Sequence, residues 1–172
     1  MIADLIDRYK KTREKINRVD NVISSVINEK KDVLLSLNKD QMLLGRNASG
    51  DILSPSYLND SYFDNKAKAE SYAAMKQRLQ PTHDSMIKNP TIYPDKDKNT
   101  PNLIVSGPFQ NSMFITTSEN EFIIGSTYID SYAIENKYNN DVFGIAPSSA
   151  MFFYEHYIRP AILKLIYNTN EL

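Results

Sequence analysis

A chain of 172 residues with 41% hydrophobic and 24% charged residues is long enough for one domain with a core, and its 18 Tyr and Phe residues argue against intrinsic disorder. The net charge of −1 lacks the basic excess of a general nucleic-acid binder, and the absence of cysteine excludes disulfides, thiolate zinc sites and a cysteine nucleophile. No apolar run approaches the roughly 20 residues of a membrane span, and acids in the first turns argue against a signal peptide, so no membrane partner is expected.

The first 44 residues contain neither Gly nor Pro, and their apolar residues, with Thr12 and Lys30 filling two gaps, recur at alternating steps of three and four. This spacing predicts a long amphipathic helix over residues 1–36. The apolar stripe consists of Ile2, Leu5, Tyr9, Ile16, Val19, Ile23, Val26 and Val33. Two interpretations remain: the stripe packs on its own domain, or it packs along a partner.

Residues 37–172 are predicted to form a single α+β domain. Its first part should contain two short extended pieces at residues 41–44 and 47–53, followed by a helix over residues 64–79 with Asp64 as the N-cap. A Pro-rich stretch at residues 81–101 is predicted to be a long irregular excursion. Such a segment is either a solvated loop or a surface available to a partner.

The second part of the domain is predicted to contain a small antiparallel sheet and a terminal helix. Residues 103–105 are a short apolar run, and residues 111–117 and 122–128 are expected to pair as a hairpin. Residues 132–138 indicate a weaker strand or a loop. The helix that begins near Pro147 is apolar on several faces, so burial in the core or between subunits is expected, with a kink at Pro160.

No group of residues has the spacing of a catalytic or metal site. His83 and His156 each lack a second histidine at ligand spacing, and Ser106 lies in a Ser-Gly-Pro turn rather than a nucleophile elbow. Glu119 and Glu121 alternate in the hairpin loop, where both face water. Phosphate-binding glycine motifs are also missing. The sequence therefore predicts a protein that is not an enzyme and has no metal or cofactor.

Contact surfaces are the remaining source of function. Tyrosine offers both apolar area and a hydroxyl, which suits protein interfaces. The candidate interface residues, taken from the helical stripe, the aromatic residues and the terminal helix, are Tyr9, Ile16, Ile23, Tyr93, Phe109, Tyr132, Tyr138 and Arg159.

The order of several short motifs resembles tail-completion, or head-to-tail joining, proteins of the necks of tailed bacteriophages, of the virion-morphogenesis type. The similarity covers most of residues 38–165. Its elements are Leu43-Leu44-Gly45 with Ser49-Gly50-Asp51, the helix at 67–76, the Ser106-Gly107-Pro108-Phe109 segment, Phe143-Gly144 and Arg159-Pro160-Ala161. The N-terminal stripe has no counterpart in that pattern.

The resemblance implies a structural virion protein that joins the portal or connector to the tail tube or terminator by ring assembly. It implies a homo-oligomeric ring located in the virion neck and assembled in the bacterial host cytoplasm. No specific nucleic acid is expected, although DNA would pass through the ring, whose channel Glu119, Glu121, Asp130 or Glu135 could line. The alternative is another virion or host interaction module that self-associates through the N-terminal helix.

Overall fold

The computed structural model describes residues 2–78, 96–103, 107–118 and 121–167. Within these ranges the fold is α+β, as predicted, and combines helices with one two-stranded antiparallel sheet. The elements in chain order are α1 (Ile2–Asn17), α2 (Val19–Glu29), α3 (Lys31–Leu43), a 3-10 turn (Tyr57–Asn59), α4 (Lys66–Gln77), α5 (Pro108–Asn111), β1 (Met113–Ser118), β2 (Glu121–Ser126), α6 (Ser131–Lys137), α7 (Pro147–Phe153), a π-helical turn (Tyr154–Ile158) and α8 (Arg159–Tyr167).

The predicted long N-terminal helix is confirmed as α1 followed almost without interruption by α2. Arg18 between them keeps right-handed helical angles, with φ −91° and ψ −7°. Lys30 departs from them (φ −110°, ψ 20°), so the chain turns there into α3. The domain boundary predicted between residues 36 and 37 therefore lies inside α3. The extended piece predicted at residues 41–44 is wrong, because α3 continues through Leu43.

Two apolar clusters form the core, and α3 contributes to both. The first core packs around the hairpin and contains Met42, Leu53, Phe109, Met113, Ile124, Tyr138 and Val142. The second core joins α2 and α3 to the C-terminal helices and contains Ile27, Val33, Leu34, Leu37 and Phe153. Ile115, Phe122 and Ile145 pack against both clusters, which makes the two cores continuous.

The predicted hairpin is confirmed, with Ser118 opposite Glu121 in the antiparallel register. Each strand therefore extends one residue closer to the turn than predicted. Before them, α5 occupies residues 108–111 after Gly107, whose φ of 92° favours glycine. The apolar run predicted at 103–105 begins with Leu103 in a left-handed conformation, at φ 51°. Residues 104–106 and most of the Pro-rich excursion lie outside the described residues.

The start of α4 and the whole of α6 differ from the sequence prediction. The N-cap of α4 is Asn65, whose Oδ1 accepts from the Lys68 amide at 3.0 Å, while Asp64 pairs with the Lys68 ammonium at 2.7 Å. Residues 131–137 are helical rather than strand or loop. Ala133 and Glu135 favour this helix, and its short length leaves too few residues for a helical period to be recognised.

The predicted interruption near Pro160 is confirmed. Proline has no amide hydrogen to donate to the carbonyl of His156, and the helix contains a π-helical turn over Tyr154–Ile158 before α8 begins.

Candidate assembly surface

An exposed apolar stripe runs along α1. Ile2, Tyr9 and Ile16 are 76%, 66% and 64% exposed. The same stripe turns inward on α2, where Ile23 packs, partly buried, against the second core. No described residue covers the α1 half of the stripe. Three large apolar side chains on one line indicate a contact surface rather than scattered surface residues.

The α1 helix projects from the body as an arm. Every described side chain of residues 2–14 is exposed, and those 13 residues span about 20 Å as an α-helix. The base of the arm is held by Lys15, whose Nζ donates to the carbonyl oxygen of Ile166 at 2.8 Å. Ion pairs from Arg8 to Asp4 and from Lys11 to Asp7, each at 3.3 Å, add local helix stability.

A groove of about 340 Å³ lies between α1–α2 and α8 at the base of the arm. Its apolar lining is Val22, Val26, Ala161 and Leu165, and its charged lining is Lys11, Lys15, Arg18 and Lys164 with Glu14 and Glu29. Four cations against two carboxylates make this groove basic. We call it the basic groove.

The α6 corner presents a second apolar surface with the opposite charge. Ile129 is 89% exposed and Tyr132 is 74% exposed. Asp130, exposed between them, makes no capping hydrogen bond to α6, and Glu135 follows on the same helix. Tyr132 is among the interface residues predicted from the sequence, whereas Ile129 is not, because a single apolar residue in a turn has no periodic signal.

The predicted interface residues differ in their exposure. Tyr9, Ile16, Tyr132 and Arg159 are exposed, and Ile23 is partly buried. Tyr93 lies outside the described residues. Exposure leaves the first four available for contact.

The interface prediction is corrected for Phe109 and Tyr138, which are core residues. The Phe109 ring packs 5.7 Å from that of Phe143 and 6.3 Å from that of Tyr128. Burial also raises the pKa of Tyr138. Both side chains stabilise the first core, so they are not presented to a partner of the folded chain.

The C-terminal helix is less buried than its composition predicts. No residue of α8 is buried within the described chain, and Met151, Tyr154, Ile166 and Tyr167 are all exposed. The predicted burial of the terminal helix in the chain's own core therefore holds for Phe153 of α7, which lies in the second core, and not for α8. Burial between subunits, the other interpretation, stays a prediction.

A buried lysine lies behind a group of aromatic rings. Lys76 is only 2% exposed, and its Nζ lies 5.8 Å from the centre of the Tyr72 ring, which meets Tyr57 edge-on at 5.3 Å. The Tyr57 hydroxyl lies 3.3 Å from Asn102 Oδ1 and accepts from the Asn102 amide at 3.2 Å. Burial lowers the pKa of Lys76 to about 8, with a smaller contribution from Lys96. Because the amine is enclosed, Lys76 is not presented as a nucleophile to a substrate.

The remaining polar candidates do not converge on one site. The His156 ring stacks on that of Phe152 with 4.1 Å between ring centres, and its Nδ1 lies 3.0 Å from the Phe152 carbonyl oxygen. His83, Ser106 and Glu119 lie outside the described residues. Glu121 begins β2 of the hairpin, whereas Asp130 and Glu135 belong to the α6 corner.

Three or more His, Cys, Asp or Glu side chains are nowhere grouped closely enough within the described ranges to hold a metal ion. No helix in those ranges is long and apolar enough to cross a membrane.

Comparison of the chain with protein-family models, with curated proteins and with solved structures gives no match.

Proposed function

We propose that this chain is a structural head-to-tail joining subunit of a tailed-bacteriophage neck, which connects the portal or connector to the tail by ring assembly and without catalysis. Two features support the proposal. One is the order of motifs between residues 38 and 165. The other, which carries most of the weight, is the exposed apolar stripe of the α1 arm.

The arm has the properties expected of a docking element. Full burial of one large apolar side chain contributes about 1.5–3 kcal/mol. Ile2, Tyr9 and Ile16 are each roughly two-thirds exposed, so a partner covering all three would gain about 3–6 kcal/mol before the cost of association. That gain suits a contact stabilised further by neighbouring surfaces of a virion. The body behind the arm has a continuous core, because the same side chains pack against both clusters.

The alternative, self-association through the α1 helix alone, is favoured by the heptad spacing of the stripe. The charges beside the stripe oppose it. Residues 8–18 contain six Lys or Arg and one Glu, and Arg8, Arg13 and Lys15 flank the apolar line. A parallel or antiparallel pair of these helices would bring like charges together along its edges. The stripe therefore fits a different protein surface better than a second α1.

Deletion of the gene from the phage that carries it tests the joining role. We expect DNA-filled heads and free tails that fail to join, visible by negative-stain electron microscopy, and loss of infectivity restored by the gene supplied in trans. Normal infectious virions from the deletion strain would contradict the proposal.

A separate measurement distinguishes self-association through α1. The chain with Ile2, Tyr9 and Ile16 all changed to Gln is compared with a control changed at Lys10 and Asn17, which are exposed positions outside the stripe. If the stripe holds a helical bundle together, only the stripe variant should dissociate to monomers, as measured by sedimentation. Under the joining proposal, the stripe variant keeps the self-association of the control.

A further inference from the structure

We propose that the basic groove of one copy binds the α6 corner of the next copy, and that this contact closes the ring. The inference rests on the proposed ring assembly and names the two surfaces that form it. Both surfaces belong to the same chain but lie on different elements, α1–α2–α8 and α6. A contact between two different patches is heterologous, which is the kind that generates rings.

The first argument is charge complementarity. Among the described residues, the charged lining of the groove is Lys11, Lys15, Arg18 and Lys164 with the carboxylates Glu14 and Glu29. The α6 corner carries Asp130 and Glu135, and the cation of the same helix, Lys137, is paired with Asp60. The whole sequence has the same asymmetry: residues 1–48 hold ten Lys or Arg against seven Asp or Glu, and residues 101–172 hold three against seven. Head-to-tail contact therefore pairs opposite charges, whereas groove-to-groove contact pairs like charges.

The second argument is apolar exposure on both sides. The corner presents Ile129 and Tyr132, which are among the most exposed large apolar residues described. The groove offers Val22, Val26 and Leu165 between its charged side chains. An apolar centre surrounded by complementary charges is the usual organisation of a specific protein interface.

The third argument concerns the exposed carboxylate of Asp130. Asp130 makes no capping hydrogen bond, although it precedes α6 directly. Arg18, on the groove side, is also exposed, and its guanidinium can only donate hydrogen bonds. Contact with a second copy gives both groups an oppositely charged neighbour. In this arrangement Asp130 and Glu135 contact protein rather than line a DNA channel.

Paired charge reversals test this contact. The groove variant carries Arg18→Glu and Lys164→Glu, and the corner variant carries Asp130→Lys and Glu135→Lys. A third variant carries all four changes. The control carries Lys66→Glu and Lys98→Glu, which change the net charge as the groove variant does but lie on exposed positions of α4 and the loop before Pro101. Circular dichroism verifies that each variant is folded.

The measurement is sedimentation of the full-length chain at about 100 μM, a concentration that populates a complex with a micromolar dissociation constant. We expect the wild type and the control to associate. The groove variant and the corner variant alone should associate at least about 10-fold more weakly, because each places like charges across the contact. Mixing these two variants, or combining all four changes in one chain, should restore association.

The pairing is overturned by any of three results: a monomeric wild type at that concentration, single variants that associate like the control, or a mixture that fails to regain association. Because the readout is self-association in solution, it is independent of the head-to-tail joining measured in phage particles. If the protein joins heads to tails but both single variants keep their self-association, the contact is refuted and the joining role is not.

Discussion

The pH dependence of stability should reveal the buried lysine behind the aromatic rings. Lys76 is 2% exposed, and burial, aided by the nearby Lys96, lowers its pKa from 10.5 in the unfolded chain to about 8 in the folded one. Folding therefore disfavours the charged form of this side chain. We expect the free energy of unfolding to rise as the pH increases above 8, and the Lys76→Met variant to lose most of that rise.

The sign and size follow from proton binding. Below pH 8 both states keep the proton on Lys76, so the full cost of burying the charge is present. Between pH 8 and 10.5 the folded chain releases the proton and the unfolded chain retains it, so stability increases by about 1.4 kcal/mol per pH unit. From pH 8 to 9.5 the expected gain is about 2 kcal/mol.

Other groups set the useful pH range. Burial also lowers the pKa of Lys96 and of Lys39, so both add smaller gains of the same sign. Burial raises the pKa of Tyr57 and Tyr138 above the ordinary value of 10. Their contribution has the opposite sign, because the unfolded tyrosines ionise first as the pH rises through about 10. Measurements between pH 7 and 9.5 therefore isolate the lysines.

Urea unfolding followed by circular dichroism gives the required free energies at each pH. We expect Lys76→Met to be more stable than the wild type at pH 7 and to show a shallower rise toward pH 9.5. The control is Lys66→Met, because Lys66 is exposed on the same helix, and its slope should match the wild type. A wild-type stability that is flat over this range, or an unchanged slope in Lys76→Met, would refute the reasoning.

Three further variants test the packing of the two cores by urea unfolding. Leu37→Ala removes a fully buried side chain from the second core and should cost about 2–5 kcal/mol; a loss below about 1 kcal/mol would contradict its position there. Gly144→Ala places a Cβ 2.9 Å from the Cβ of Ala48 at a φ of +139°, so a loss of about 1–3 kcal/mol is expected, and a neutral result would be inconsistent with that backbone. Asn38→Ala leaves the carbonyls of Val142 and Gly144 without the donor that now lies 3.1 and 2.7 Å away, for an expected loss of about 1–3 kcal/mol, whereas unchanged stability would show that other groups satisfy them.

The elements that could be predicted are those with a strong local signal. The N-terminal helix has a helical apolar period that continues over a long stretch without Gly or Pro. The hairpin has two β-rich runs around a polar turn. Pro160 lacks an amide hydrogen in any conformation, so it interrupts the helical hydrogen bonds. The turn at Lys30, which separates α2 from α3, has no such local signal. The turn there depends on the packing of α2 and α3 around Ile27, Val33 and Leu34, which is a tertiary effect.

Interface residues were harder to predict, because residue type does not specify exposure. Tyr132 and Tyr138 are six positions apart, yet one is exposed and the other lies in the first core. Gln41 was assigned to an extended piece, although it is buried in α3. Its side chain donates to the Gly144 carbonyl at 2.7 Å and accepts from the Ala146 amide at 3.0 Å. Such a buried amide depends on partners about a hundred residues away, which periodicity cannot identify.

Electron microscopy of particles assembled with the stripe variant tests the joining role of the α1 arm most directly. The gene carrying Ile2, Tyr9 and Ile16 all changed to Gln replaces the normal gene, and the Lys10 and Asn17 variant serves as the control. We predict that the stripe variant yields DNA-filled heads separate from tails, whereas the control yields complete virions. Complete, infectious virions from the stripe variant, with the protein folded and present in normal amount, would contradict the role of the arm.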